Sequence, residues 1–171
     1  MALSLIYAMG LLAMLGCSAA YNLAKDSPRR ELLRRLDHAA IFLMIAGTYT
    51  AFTLTRLDGA WSIAMTLGIW ACAAAGMATK LCRPRPFERA SIIFYLLLGW
   101  AGLIAIKPLV IALDDATLVL LGIGGALYSI GVVFHLWRRL PFHTAVWPAF
   151  VLAAASCHYV AVLREAASVG R

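Results

Sequence analysis

Charge is scarce in this chain of 171 residues. Asp, Glu, Lys and Arg together make up 13% of it, while 63% falls among Ala, Val, Ile, Leu, Met, Phe, Trp, Tyr and Cys. A soluble domain carries about 25% charged and about 45–50% apolar residues. The mean hydropathy here is +0.85, and a domain of this size has too much surface for its volume to hide that much apolar area. A soluble enzyme, a disordered chain and a nucleic-acid-binding module are therefore excluded, in spite of a net charge of +7. Further absences narrow the class. No segment alternates apolar and polar residues as a barrel strand would. No Lys or Arg precedes the first apolar run, which is also longer than the roughly 7–15 residues of a signal-peptide core, so it does not read as a cleaved leader. Cys17, Cys72, Cys82 and Cys157 show no CxxC spacing of the metal-binding kind. They read as small apolar residues, and no disulfide is expected on a cytoplasmic face.

What is present is a succession of six apolar stretches, at 2–23, 37–55, 60–79, 89–107, 117–136 and 142–163. Each is close to the roughly 20 residues with which a helix crosses the hydrocarbon core. Helices suit lipid because they satisfy their own backbone hydrogen bonds. The chain therefore reads as all-α: one integral membrane domain over 1–171, a polytopic bundle of six spans. Between 104 and 116, Pro108 follows Lys107 and the run LVIAL precedes Asp114 and Asp115. This reads as a helix end and an interfacial loop rather than a seventh short span.

The 15 basic residues sort by side. Lys25, Arg29, Arg30, Arg34 and Arg35 lie between the first and second stretches, Lys80, Arg83, Arg85 and Arg89 between the third and fourth, and Arg138 and Arg139 between the fifth and sixth. The other side has only Arg56, Lys107, Arg164 and Arg171. The positive-inside rule makes the three basic connections cytoplasmic and places both termini outside. The expected location is the cell (plasma) membrane, with the basic excess meeting anionic lipid and no nucleic acid.

Ionisable and polar groups within a membrane are costly and point to function. Ser18 and Asn22 lie four apart, on one face of the first helix. Asp37 and His38 open the second helix from the same side. His135 closes the fifth, and His143 with Thr144 opens the sixth. His158 lies about 22 Å from His143 along its helix, nearer the outer face. One reading is plain interfacial chemistry, with Asp37 favoured at a helix N-terminus and His135 at a C-terminus. The other is zinc, for which imidazole and carboxylate are common ligands. Small residues such as Gly122, Gly124, Gly125, Gly131 and Ala153–Ala155 suit close helix packing. Trp61, Trp100, Trp137 and Trp147 read as interface or packing residues, and Tyr49 in GTYT (47–50) as a hydroxyl for use between helices.

The segment LDHAAIFLMIAGTYTAF (36–52) resembles the signature of the hemolysin III family, the bacterial branch of the progestin and adiponectin receptor group. YLLLGW (95–100), GGALYSIGVVF (124–134) and PFHTAVWPAFVLAAASCHYVAV (141–162) resemble its later helices, and SAAYN (18–22) resembles its SxxxH motif. The resemblance covers nearly the whole chain. It implies a seven-helix bundle with zinc near the cytoplasmic face. Three His would hold the metal, one from SxxxH and two from an HxxxH pair in the last helix, and an Asp of the LDH motif would support its water. The match starts at the family's second helix, so the first is expected to be missing. Ser18 and Asp37 are kept, as vestiges of a catalytic set. The three former metal positions are Asn22, Thr144 and Pro148, and none offers zinc a usual ligand. His143 stands one residue early, about 100° around the helix. Pro148 is expected to kink or loosen the last helix.

These observations favour a non-catalytic hemolysin III-like protein with no cofactor, acting in membrane homeostasis or lipid sensing. Its expected partners are membrane lipids, with a homo-oligomer or another membrane protein also open. Two alternatives stand beside it. One is a zinc-dependent hydrolase of lipid amides with a site rebuilt from Asp37, His38, His135 and His143. The other is an oligomeric pore, although no stretch carries a polar stripe along its length.

Overall fold

A computed structural model describes residues 2–24, 28–82, 88–137 and 143–169. Every regular element among them is helical. In chain order these are α1 (Ala2–Leu23), α2 (Arg30–Arg56), α3 (Gly59–Cys82), α4 (Glu88–Gly99), a 3-10 turn (Ala101–Ala105), α5 (Ile106–Ala112), α6 (Asp115–Leu136) and α7 (His143–Val169). Six stretches are long and apolar enough to cross a membrane, residues 90–112 counting as one of them. The expected all-α, six-span class is what the chain adopts.

Several helix ends differ from the apolar boundaries: α7 runs on to Val169, past the expected 163, and two other ends have a local cause. The second apolar stretch begins at 37, yet α2 begins at Arg30. Glu31 explains the extension. Its carboxylate takes two bonds from Arg34 at 3.0 Å and one from Arg35 at 3.3 Å, the i+3 and i+4 spacings that support a helix turn. The fourth apolar stretch ends at 107, ahead of Pro108, but the helical path resumes after a 3-10 turn and runs to Ala112. Pro108 is the third residue of α5, within the first turn, where an absent N–H breaks no intrahelical bond. The run LVIAL is therefore largely helix rather than loop.

The chain forms two compact units, Met1–Ala101 and Gly102–Arg171. In the first, α2 is central, packed lengthwise against α1 and α3 and more sparsely against α4. Its buried residues run from Ala39 to Thr53 around most of its circumference. Only Leu57 and Asp58 separate α2 from α3, so the two run back as neighbours. Gly59 opens α3 at φ 57, a left-handed conformation that glycine adopts without strain. α1 comes close because Gly10 and Gly47 lack side chains: a Cβ at Gly10 would stand 3.4 Å from the Leu43 carbonyl, and one at Gly47 3.4 Å from that of Ile6. Phe42, Ala46, Ile69, Ala73 and Leu98 form the core. The Phe42 ring lies 4.5 Å from that of Tyr95 and 5.5 Å from that of Phe94, and its edge fills the space over Gly76.

The second unit is chiefly the α6–α7 pair. Phe134 stacks on Phe150 at 5.4 Å, and Gly131 leaves room for Phe150 and Trp147. Asp114, at the N-cap of α6, meets Arg164 of α7 at 2.6 Å. Both partners are about half exposed, so this pair orients more than it stabilises.

Candidate functional site

In the first unit, ionisable chemistry gathers at the start of α2. Asp37 is half-buried and takes a hydrogen bond from the Ser18 hydroxyl of α1. The Tyr95 hydroxyl donates to the His38 carbonyl at 2.9 Å. This pins the turn that carries Asp37 against α4. Next to it, Arg35 of α2 donates to the Leu81 carbonyl at the end of α3, at 3.1 Å. Asn22 takes no part. It is exposed, and its amide donates back to the Ser18 carbonyl of its own helix at 2.8 Å. Of the two expected residues on α1, the fold brings Ser18 to Asp37 and turns Asn22 away.

A polar seam continues along α2. Trp70 Nε1 donates to Thr50 Oγ1 at 2.9 Å, Thr53 and Thr66 share a hydroxyl bond of 2.6 Å, and the Ser62 hydroxyl donates to the Thr53 carbonyl at 2.9 Å. The Tyr49 hydroxyl donates to the Gly99 carbonyl at 2.8 Å, where α4 gives way to the 3-10 turn. That break takes the Gly99 carbonyl out of the regular ladder, and Tyr49 supplies its donor. The expected use of Tyr49 between helices is therefore realised. Tyr95 is the residue that sequence reasoning missed. Its only signal was a hydroxyl at the head of the otherwise apolar YLLLGW.

In the second unit, the His135 ring lies 5.3 Å from Trp147 at a tilt of 48°. The side chains of His143 and Thr144 lie outside the described residues, as do Lys25, Arg83, Arg85, Arg138 and Arg139 and the side chain of Arg89. Pro148 is exposed, and α7 stays helical through it. Its missing N–H falls opposite the Thr144 carbonyl, in the first turn of the helix. His158 sits in a notch made by Gly124, with Nε2 3.4 Å from the Leu121 carbonyl and its ring at the edge of Tyr128. Among the described residues, no three His, Cys, Asp or Glu side chains gather as a metal centre. The four cysteines form no disulfide.

Among the described residues, six helices long and apolar enough to cross a membrane, with α2 bonded to α1, α3 and α4 through hydroxyl and carboxylate groups, mark a polytopic integral membrane protein. Comparison with known proteins assigns it further. The family described as Haemolysin-III related matches residues 1–159, and the chain belongs to that family. It is 35% identical over 158 residues to the Hemolysin-3 homolog of Bacillus subtilis (strain 168), covering 92% of this chain and 74% of that protein. It is 42% identical over 133 residues to the Hemolysin-3 of Bacillus cereus, covering 78% of this chain and 61% of that protein. It is 28% identical over 165 residues to the human Monocyte to macrophage differentiation factor, covering 92% of this chain and 67% of that protein. The chain thus spans between about three fifths and three quarters of these relatives. No solved structure matches it.

Proposed function

We propose that this chain is a metal-free hemolysin III-type protein of the plasma membrane that works in membrane homeostasis or lipid sensing without catalysis. In this reading its basic connections face the cytoplasm, and the Ser18–Asp37 pair acts as a fastener between helices. The observation that carries the reading is the commitment of the polar groups at the start of α2. Asp37 accepts from Ser18, while the Asn22 amide is bonded to its own helix. Asn is not a usual zinc ligand, and the Pro148 side chain has no donor atom. A zinc centre of the family's kind does not fit these donors. The test is the zinc content of protein purified without chelator, read by elemental mass spectrometry. Near-zero zinc is expected. One zinc per chain would overturn the reading and direct attention to Asp37, His38, His135 and His143.

A further inference from the structure

α6 and α7 run antiparallel, with Asp114 at the start of one beside Arg164 near the end of the other. Small residues line their meeting faces. On α7, Ala154 and Ala161 stand one turn to either side of His158, and both are fully buried. On α6, Leu121, Gly124 and Tyr128, spaced i, i+3 and i+7, share the facing arc. His158 fills the gap between them. A Cβ at Gly124 would overlap its Cδ2 and Nε2 atoms, and the Tyr128 ring meets it edge-on at 5.6 Å. An imidazole thus seats one helix against the other, inside an apolar stretch, 146–168, long enough to span a membrane. Its hydrogen bonding is thin. Nε2 stands 3.4 Å from the Leu121 carbonyl, beyond the roughly 2.7–3.2 Å of a good bond, and that oxygen lies in a helix whose own ladder already uses it.

The titratable and charged groups of the pair give the ring no close counter-ion among the described residues. α6 presents the Tyr128 phenol. On α7, Cys157 is adjacent in sequence but about 100° around the helix, and Arg164 and Glu165 lie about 9–10 Å further along it. They stand at the level of Asp114 and Asp115, where the Asp114 carboxylate is bonded to Arg164. A proton on His158 would therefore place an uncompensated charge between two helices at hydrocarbon depth, which is costly. The ring escapes that cost by leaving the notch for water or headgroups, and leaving unseats the helix. We infer that His158 is an acid-sensitive clasp: neutral, it holds α7 against α6 in the Gly124 notch, and on taking a proton from hydronium it becomes imidazolium, leaves the notch and loosens the pair. Returning the proton to water closes the clasp again. This inference goes beyond the metal-free reading and does not rest on it, since His158 lies about 15 Å along α7 from Pro148.

The test is amide hydrogen exchange of the full chain in micelles at about pH 8 and about pH 5, either side of the ordinary imidazole range, corrected for the chemical exchange rate at each pH. Wild type is compared with His158→Gln, in which an amide donor stands near the place of Nε2 and no proton is taken up. In wild type, corrected exchange across residues 118–128 should rise about tenfold on acidification, within the limit of about tenfold per pH unit set by one linked proton. In His158→Gln it should stay flat. His38, His135 and His143 are present in both proteins, so their titration cancels. Residues 39–53 of α2, in the other unit, should exchange alike in the two proteins at either pH. His158→Phe, which fills the notch with a ring that does not titrate, is the second variant and should also give a flat profile, so a glutamine variant that fails to fold leaves the comparison intact. An equal acid-induced rise in wild type and variant overturns the inference, because the response then belongs to another group. Equal protection of wild type at both pH values overturns it as well.

Discussion

Gly76 and Phe42 should behave as one unit. A Cβ at Gly76 would overlap three carbons of the Phe42 ring. The ring is not at the end of a flexible chain. It is fully buried and bounded by Tyr95 and Phe94, at 4.5 and 5.5 Å. Gly76→Ala must therefore displace packed aromatic side chains, an overpacking of about 1–3 kcal/mol. Against this, replacing glycine by alanine inside a helix gains about 0.5–1 kcal/mol. The net loss in the wild-type background should be about 0–2.5 kcal/mol. Phe42→Ala alone should cost less than the roughly 3–5 kcal/mol of a water-soluble core, because lipid is as apolar as the interior it replaces. With the ring gone, the overlap disappears and Gly76→Ala should become stabilising by about 0.5–1 kcal/mol. The coupling in the cycle should thus be about 1–3 kcal/mol. Reversible unfolding in mixed micelles, followed by tryptophan fluorescence, measures all four corners, with Trp70 packed against this core as a local reporter. An equal effect of Gly76→Ala with and without the Phe42 ring would refute the coupling.

Three further outcomes are expected. Tyr49→Phe leaves the Gly99 carbonyl without its donor and should destabilise by about 0.5–1.5 kcal/mol in the same unfolding assay; amide exchange around residues 99–105 should rise with it. Gly124→Ala would intrude on the His158 ring and stand 3.2 Å from the Ala154 carbonyl, so it should loosen the α6–α7 pair by about 1–3 kcal/mol, read as increased alkylation of Cys157. Ser18→Ala removes the donor to a half-buried carboxylate and should cost about 1–3 kcal/mol. Adding Asp37→Asn should recover part of that loss, because the remaining amide is neutral; an unchanged or larger loss would show that the Ser18 bond does not hold Asp37.

Much of the architecture was legible because lipid imposes a simple rule. A segment of about 20 apolar residues must be a helix, since no water is available to satisfy its backbone. The first, third and fifth stretches accordingly begin or end within a few residues of α1, α3 and α6. Hydropathy was a poorer guide where another force set the boundary. Arg30–Leu36 is helical through the bonds of Glu31 with Arg34 and Arg35, which an apolar scan does not register. Pro108 looked like a stop, but after a 3-10 turn it falls in the first turn of a new helix. The site was partly legible for the same kind of reason. Ser18 and Asp37 stood out because polar groups in a membrane need partners, and the two proved to be partners of each other.

By itself, the sequence determined that this is a multi-spanning membrane protein, where its spans lie, and which few polar residues call for explanation, because the cost of exposing peptide groups and charge to lipid depends only on local composition. Only the tertiary structure decided how those residues are used. Ser18 and Asn22 share a face by their spacing, yet one bonds Asp37 and the other its own helix. Tyr49 and Tyr95 reach carbonyls 50 and 57 positions away, and Gly76 and Gly124 make room for side chains of other helices. Such pairings follow from the rotation and depth at which whole helices meet, which packing across distant segments sets and no local window contains.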